Sequence, residues 1–321
     1  MREPAMSAAQ VKHFTEEGWV MVPDVYTDAD LQPIRDEITD VIDTAARQLL
    51  ADGKIEQTYA DEPFETRLTR LYQECEEILP PIVGKAGGGH SGRAFFSFIA
   101  HPSILAHVQS LVGDEIVGSS VYRIRPKMPS YAKGAVPWHQ DSGYFNPHCD
   151  DDLVVTCWIP LVDTHADNGC LQVLPRAHRT GVSRHYTGGQ GGYLEITEED
   201  LPNRLEPVTV PVPAGGVLFM TNLTPHRSTQ HEKDIVRWAT DVRYQSAAVP
   251  NNVGQLPSDY DAERPLYEIA CYPPEADFVV QSPSKPDDVV ATWGQFNVLR
   301  QRYEDEGRPP GPRRGWEPIP Q

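Results

Sequence analysis

Apolar residues recur at Leu31, Ile34, Ile38, Val41 and Ile42, the three-and-four spacing of one helix face. That face predicts a helix capped by Thr27 or Asp28 and running to about Ala51. Ahead of it, Ser7 with Gln10 has the form of a capping box for a shorter helix to about Glu17, which Gly18 ends. Residues 19–23 then form a strand. Past residue 100 the period shortens. Apolar or alternating runs at 116–125, 153–161, 171–174, 208–212, 216–220, 235–244 and 277–280 predict strands, separated by Gly, Pro, Asn and Asp turns. On the 153–161 strand Thr156 and Trp158 share one face and Val155, Cys157 and Ile159 the other. A helix is expected at 287–302.

The fold expected is mainly β with flanking helices. Many short antiparallel strands with such turns fit a jelly roll or a related barrel. One domain over 1–321 is expected, with an N-terminal helical buttress at 1–52, a β core at about 115–250 and a Pro-rich, irregular tail at 303–321. Residues 52–100 carry the weakest pattern. Within them the glycine-rich 84–93 lacks phosphate-loop spacing and is expected to be a surface loop or lid, as is 187–193.

Composition narrows the partners. The chain has 321 residues, 30 prolines, 24 glycines and a formal net charge of −18. Such charge disfavours nucleic acid or an anionic membrane surface as partner. The five cysteines are odd in number and contain no CxxC, which suggests neither a disulfide framework nor a zinc ribbon. The N-terminus lacks an apolar leader core, and no run of membrane-span length stands out. A soluble cytoplasmic protein is expected. No feature of the chain fixes its oligomeric state.

The candidate chemistry begins at Trp138-His139-Gln140-Asp141. On an extended strand, residues two apart point to one side. His139 and Asp141 would then supply two ligands of the 2-His-1-carboxylate set that holds Fe(II) with open positions. A lone His-x-Asp is more often a polar surface strand. Here it lies beside Tyr144 and Phe145, and a second histidine, His226, follows the apolar run from Val217 to Met220. Arg237 follows in turn; a buried arginine is the natural partner for a distal carboxylate, with Arg243 as its rival. A metal cupin without a 2-oxo acid and a jelly-roll binding module are the competing readings, and the second leaves this set unexplained.

The stretches 138–145, 155–161 and 168–181, with His226-x-Ser228 and Arg237, resemble the phytanoyl-CoA dioxygenase family of Fe(II)/2-oxoglutarate oxygenases. The likeness runs from near Gln10 to about residue 245. It implies a double-stranded β-helix, cupin-like, with His139, Asp141 and His226 on iron. It implies Arg237 and Ser228 on the C5 carboxylate of 2-oxoglutarate, Trp158 lining that pocket, and Arg70 approaching the cosubstrate. The cofactors implied are Fe(II), 2-oxoglutarate and O2, with ascorbate as reductant in vitro. The reaction implied is hydroxylation of an unactivated C–H with release of succinate and CO2. Asp141 at the carboxylate position disfavours halogenation. Desaturation, epimerisation, ring formation or acyl-CoA 2-hydroxylation remain alternatives. No basic run suits CoA phosphates, so a small free metabolite is the substrate expected. One departure stands out: Pro175-Arg176-Ala177-His178 occupies the place of the family's usual Pro-Gly-Ser-His.

Overall fold

The computed structural model describes residues 5–83, 92–119, 123–128, 136–145, 147–202, 205–256, 277–305 and 314–320. Its first helices start where their caps dictate. Ser7 Oγ accepts the Gln10 amide and Gln10 Oε1 accepts the Ser7 amide at 2.8 Å, opening α1 (Ala8–Glu17). Gly18, at φ 86, stops it and donates its amide to Phe14 at 2.9 Å. Thr27 and Asp30 form the same reciprocal box at α2 (Asp28–Ala51). The buried side of α2 carries Leu31, Ile34, Ile38, Ile42, Ala46 and Leu49, the face its spacing predicts.

The weakly patterned region turns out to hold helices, α3 (Phe64–Glu74), α4 (Leu79–Val83) and α5 (Arg93–Ile99), and α6 (Pro102–Val112) follows it. Contrary to the sequence expectation, the 20 residues Arg93–Val112 are long and apolar enough to pass for a membrane span. The helix is broken there at Ala100 and His101, because Pro102 takes the first position of α6. Phe95, Phe98, Ile99, Ile104 and Val108 of this pair pack into the core.

Among the described residues there are ten strands, and all but β8 lie on the predicted runs: β1 (Trp19–Val22), β2 (Ile116–Gly118), β3 (Arg123–Lys127), β4 (Val154–Pro160), β5 (Leu171–Val173), β6 (Val208–Val210), β7 (Val217–Thr221), β8 (His226–Ser228), β9 (Arg237–Ser246) and β10 (Phe278–Gln281). The run at 116–125 is two strands rather than one, both paired with β9. One antiparallel sheet has the order β1-β7-β4-β9-β2-β10, with β3 also on β9; the other is β6-β5-β8. This is the jelly-roll core.

The helices cover one face of the large sheet. Val155, Cys157 and Ile159 of β4, Phe219 of β7, and Trp238, Val242 and Tyr244 of β9 join the helical core there. Trp158, Leu218, Met220 and Ala239 point the other way and meet Leu171, Val173 and Val210 of the small sheet. Each central strand is thus buried on both faces, and its alternation sorts residues between helical core and sheet interior.

Two predicted elements shift. The last helix, α7, spans Trp293–Asp305 rather than 287–302. Of the tail at 303–321, residues 314–320 are not loose: Ile319 donates to Thr187 O at 3.1 Å and Thr187 to Glu317 O at 2.8 Å. The 187–193 segment is held at its start by those bonds and folded on itself by Gly189 N–H donating to Tyr193 O at 3.1 Å. Most of the glycine-rich loop, 84–91, lies outside the described residues.

Gly215 joins α2's entry to the sheet. Its φ is +80, and a Cβ there would sit 2.2 Å from the Tyr26 carbonyl oxygen. Gly215→Ala should therefore destabilise the fold by at least about 1 kcal/mol, measured as a lower midpoint in urea. An unchanged midpoint would mean the backbone yields at no cost.

Candidate metal centre and the pocket beside it

His139 and His226 face each other across an isolated antiparallel bridge. The His139 amide donates to the His226 carbonyl at 3.1 Å, and the His226 amide returns the bond at 2.9 Å. Their imidazole centroids lie 4.2 Å apart. The expected regular strand through the His-x-Asp triplet is absent. His139 makes that single bridge, and Asp141 opens a 3-10 turn, Asp141–Gly143. The turn aims the carboxylate at the histidines. The ligand atoms of His139, Asp141 and His226 lie within 4.8 Å of one another, and all three residues are buried.

The ring nitrogens are already sorted. Nδ1 of His139 is 2.9 Å from the Pro137 carbonyl, and Nδ1 of His226 is 3.0 Å from that of Thr224. A carbonyl accepts only from N–H, so the proton sits on Nδ1 and Nε2 is left for a metal. Burial, then the neighbouring His226, push the His139 pKa down to about 3, which keeps this imidazole neutral as a ligand must be. Gln140 locks the triplet between them. Its side chain donates to Gly181 O and Leu223 O at 2.9 and 2.6 Å and accepts from Ser183 N at 2.8 Å.

Asp141 has three donors. Arg243 grips it with Nε on Oδ2 at 3.0 Å and Nη2 on Oδ1 at 2.9 Å, and the Thr156 hydroxyl donates to Oδ2. Arg243 also donates to Asp241 at 3.0 Å, which accepts from Arg125 at 2.7 Å. Burial alone would raise the Asp141 pKa, but Arg243 reverses it and holds the carboxyl below the usual range. These partners were not legible as such: Arg243 stood only as a rival to Arg237, and Asp241 and Thr156 had no role. The one sequence signal is the alternation Arg237, Ala239, Asp241, Arg243 on β9, a polar row at period 2.

Arg237, Ser228 and Trp158 lie together beside this centre. Arg237 is buried, with its guanidinium carbon 5.3 Å from the Trp158 ring centroid. Its Nε and Nη1 are buried without a hydrogen-bond partner. Two orphaned donors on a buried arginine mark a place for an anion. Burial and the nearby Arg125 lower its pKa to about 10, so it stays charged at neutral pH. The structure does not bring Arg70 here. It lies on α3, 41 % exposed, in an ion pair with Asp234 at 3.4 Å, so its side chain ends in solvent. The sequence reading missed Lys127 of β3, buried with Nζ 2.8 Å from Ser228 Oγ.

Beyond the turn, the C-terminal segment crosses the other side. Trp316 Nε1 donates to Gly143 O at 2.8 Å, and its ring packs tilted against His185, with centroids 5.2 Å apart. Arg314 donates to Phe145 O and to Asp150, each at 2.8 Å. Arg176, in the Pro-Arg-Ala-His turn, is held at φ 63, the left-handed conformation that glycine takes readily.

The family model for phytanoyl-CoA dioxygenase (PhyH) matches residues 14–239. Human peroxisomal phytanoyl-CoA dioxygenase is 26% identical over 253 residues, covering 75% of this chain and 69% of its own length. The mouse phytanoyl-CoA dioxygenase domain-containing protein 1 is 25% identical over 272 residues, covering 76% and 91%. Among solved structures, the apo non-heme monooxygenase ThoJ superposes with a TM-score of 0.55 at 17% identity over 92% of this chain and 96% of its own, a likeness of fold.

Replacing Arg243 by Met strands Asp141 as an unpaired buried charge. The metal-free variant should lose about 3–5 kcal/mol at neutral pH, measured by urea unfolding. The sign with pH follows from the depressed carboxyl: its stabilisation is present above the ordinary carboxylate range and lost as pH falls below it. The variant's deficit should therefore be largest at neutral pH and shrink as pH falls below that range; a deficit that does not change with pH would show that the ion pair contributes no pH-dependent stability.

Proposed function

This chain belongs to the phytanoyl-CoA dioxygenase family, and from that premise we propose that it hydroxylates an unactivated C–H of a small-molecule metabolite. By family and by its His-Asp-His set it is a 2-oxoglutarate-dependent non-haem iron oxygenase. The donor set fits the metal: two neutral imidazoles and one carboxylate, with coordination positions left open. In our reading His139, Asp141 and His226 hold Fe(II). The observation that carries the cosubstrate assignment is the pair of orphaned donors on buried Arg237, which stands opposite Lys127, itself bonded to Ser228.

When bound, iron with 2-oxoglutarate and O2 supplies the oxidising power and releases succinate and CO2. The chain's own part is binding, orientation and exclusion of water. Arg243 and Thr156 occupy both carboxylate oxygens of Asp141. A carboxylate has about four acceptor sites; three are taken, so one on Oδ1 remains for a metal while the orientation is fixed. Arg237 and Ser228 receive the distal carboxylate. Trp158 covers the guanidinium face and keeps water from it.

Substrate would approach from the side of the Asp141–Gly143 turn, where Tyr144 and the strap at 314–320 lie. The net charge of −18 and the lack of a basic run support a free metabolite over a CoA ester. A hydroxylated product, rather than a halogenated one, is supported by Asp141 filling the carboxylate position.

Purified protein given Fe(II), 2-oxoglutarate, ascorbate and air should form succinate slowly even without its substrate, and His139→Ala should form none. Arg237→Met should raise the 2-oxoglutarate concentration for half-saturation about 10-fold or more, the loss of a charge-assisted bond of about 1.5–3 kcal/mol. Arg70→Ala should leave that concentration unchanged. Undiminished affinity in Arg237→Met would remove Arg237 from the cosubstrate site.

A further inference from the structure

Lys127 has no role in the chemistry above, yet it is 3% exposed and sits directly opposite Arg237 in the β3–β9 register. Side chains directly opposite in an antiparallel pair share a face. The ammonium or amine of Lys127 and the guanidinium of Arg237 therefore enter the same recess. Resting on the reading that this recess takes the C5 carboxylate, we propose that Lys127 is a second cation of the distal site, and that 2-oxoglutarate binding is accompanied by uptake of one proton on Lys127 Nζ.

The hydrogen bonds support this count. Lys127 Nζ donates to Ser228 Oγ at 2.8 Å and to the Thr229 carbonyl. A neutral amine has two N–H donors, and these two acceptors match both. A third N–H exists only on the ammonium, and it is free to meet an incoming carboxylate. Ser228 Oγ also accepts the Val136 amide at 3.0 Å. With two bonds accepted, its own O–H is free to donate. The recess thus offers the orphaned Arg237 donors, one hydroxyl and one prospective ammonium.

Among the described residues no fixed anion there balances the two cations. The titratable groups facing Lys127 are Arg237 from β9, Cys170 before β5 and His231 after β8. Burial pushes the Cys170 thiol up and His231 down, so neither supplies a charge. Asp241, further along β9, is spent on Arg125 and Arg243. Burial, then Arg237, lower the Lys127 pKa to about 7. An anion placed between the two reverses the second effect and lifts it again. Gly169 preserves the space: a Cβ there would meet Lys127 Cδ at 2.6 Å, and its φ of +88 suits glycine alone.

The sign follows directly. Between the free and the bound pKa, binding takes up a proton, so affinity falls as pH rises. Calorimetric titration of the anaerobic Fe(II) protein at pH 8 to 9, in phosphate and in Tris, reads the proton count from the difference in buffer heat. The ligands are 2-oxoglutarate and 2-oxopentanoate, which offers the same chelating end and chain length without the distal carboxylate. Expected are uptake approaching one proton with 2-oxoglutarate, none with 2-oxopentanoate, and a Kd for 2-oxoglutarate rising about tenfold per pH unit. Lys127→Met should bind 2-oxoglutarate more weakly at pH 7, with no uptake and a flat pH profile. If the variant does not fold, the comparison of the two ligands on the parent protein decides alone. Equal uptake with both ligands, or 2-oxoglutarate binding without uptake, overturns the role of Lys127 and leaves the cosubstrate reading intact. Failure of 2-oxoglutarate to bind the Fe(II) protein overturns that reading, and this proposal with it.

Discussion

A strand buried on both faces cannot carry charge unless every charge finds a partner. Strand β9 is that strand, and the site is built from its solution. Trp238, Val242 and Tyr244 face the helical core. Arg237, Asp241 and Arg243 face the other way. Isolated ions in such a place would cost several kcal/mol each. The protein offsets that cost with a chain of ion pairs, Arg125 to Asp241 to Arg243 to Asp141. Among the charged side chains of β9, Arg237 keeps two guanidinium donors, Nε and Nη1, without a partner. That is where the proposed carboxylate ligand would enter.

The same pairing fixes the candidate metal centre. Asp141 belongs to a short turn, not to a sheet ladder, so backbone pairing alone would leave its carboxylate free to rotate. Arg243 holds both oxygens, and Arg243 is in turn held by Asp241. The two histidines are positioned differently, through the reciprocal amide bonds of their bridge and one carbonyl on each Nδ1. Ligand geometry is therefore set by elements that need no metal to form, which lowers the reorganisation that binding would otherwise require.

The two sides of the centre differ in character. The side with Arg237, Ser228 and Lys127 is lined by regular strands whose register is fixed by the ladder. The opposite side is made from the Asp141–Gly143 turn, the 187–193 segment and the strap of 314–320. Recognition of a common cosubstrate suits the rigid side. Loops tolerate change better than ladders, so the opposite side can vary without disturbing the strands.

How much of this was legible follows from range. Local physics is written in the sequence: the Ser7 and Thr27 caps, the buried stripe of α2, and the alternation that sorts Thr156 and Trp158 from Cys157. Residue types with unusual chemistry are visible too, since His139, Asp141, His226 and Arg237 stand out beside apolar runs. The family likeness extended that to an iron and 2-oxoglutarate chemistry. Helices at 52–100 were not legible, because much of their stabilisation comes from packing on α2 and the sheet rather than from local pattern. The partner of Asp141 was not legible either. Two arginines six residues apart on one strand face look alike in sequence, and only the register of β9 against β3 and β4 gives Arg243 to Asp141 and Arg237 to Lys127. By itself the sequence determined which side chains alternate, cap and cluster; the tertiary structure decided which charges meet, because pairing across strands depends on register between segments far apart in the chain.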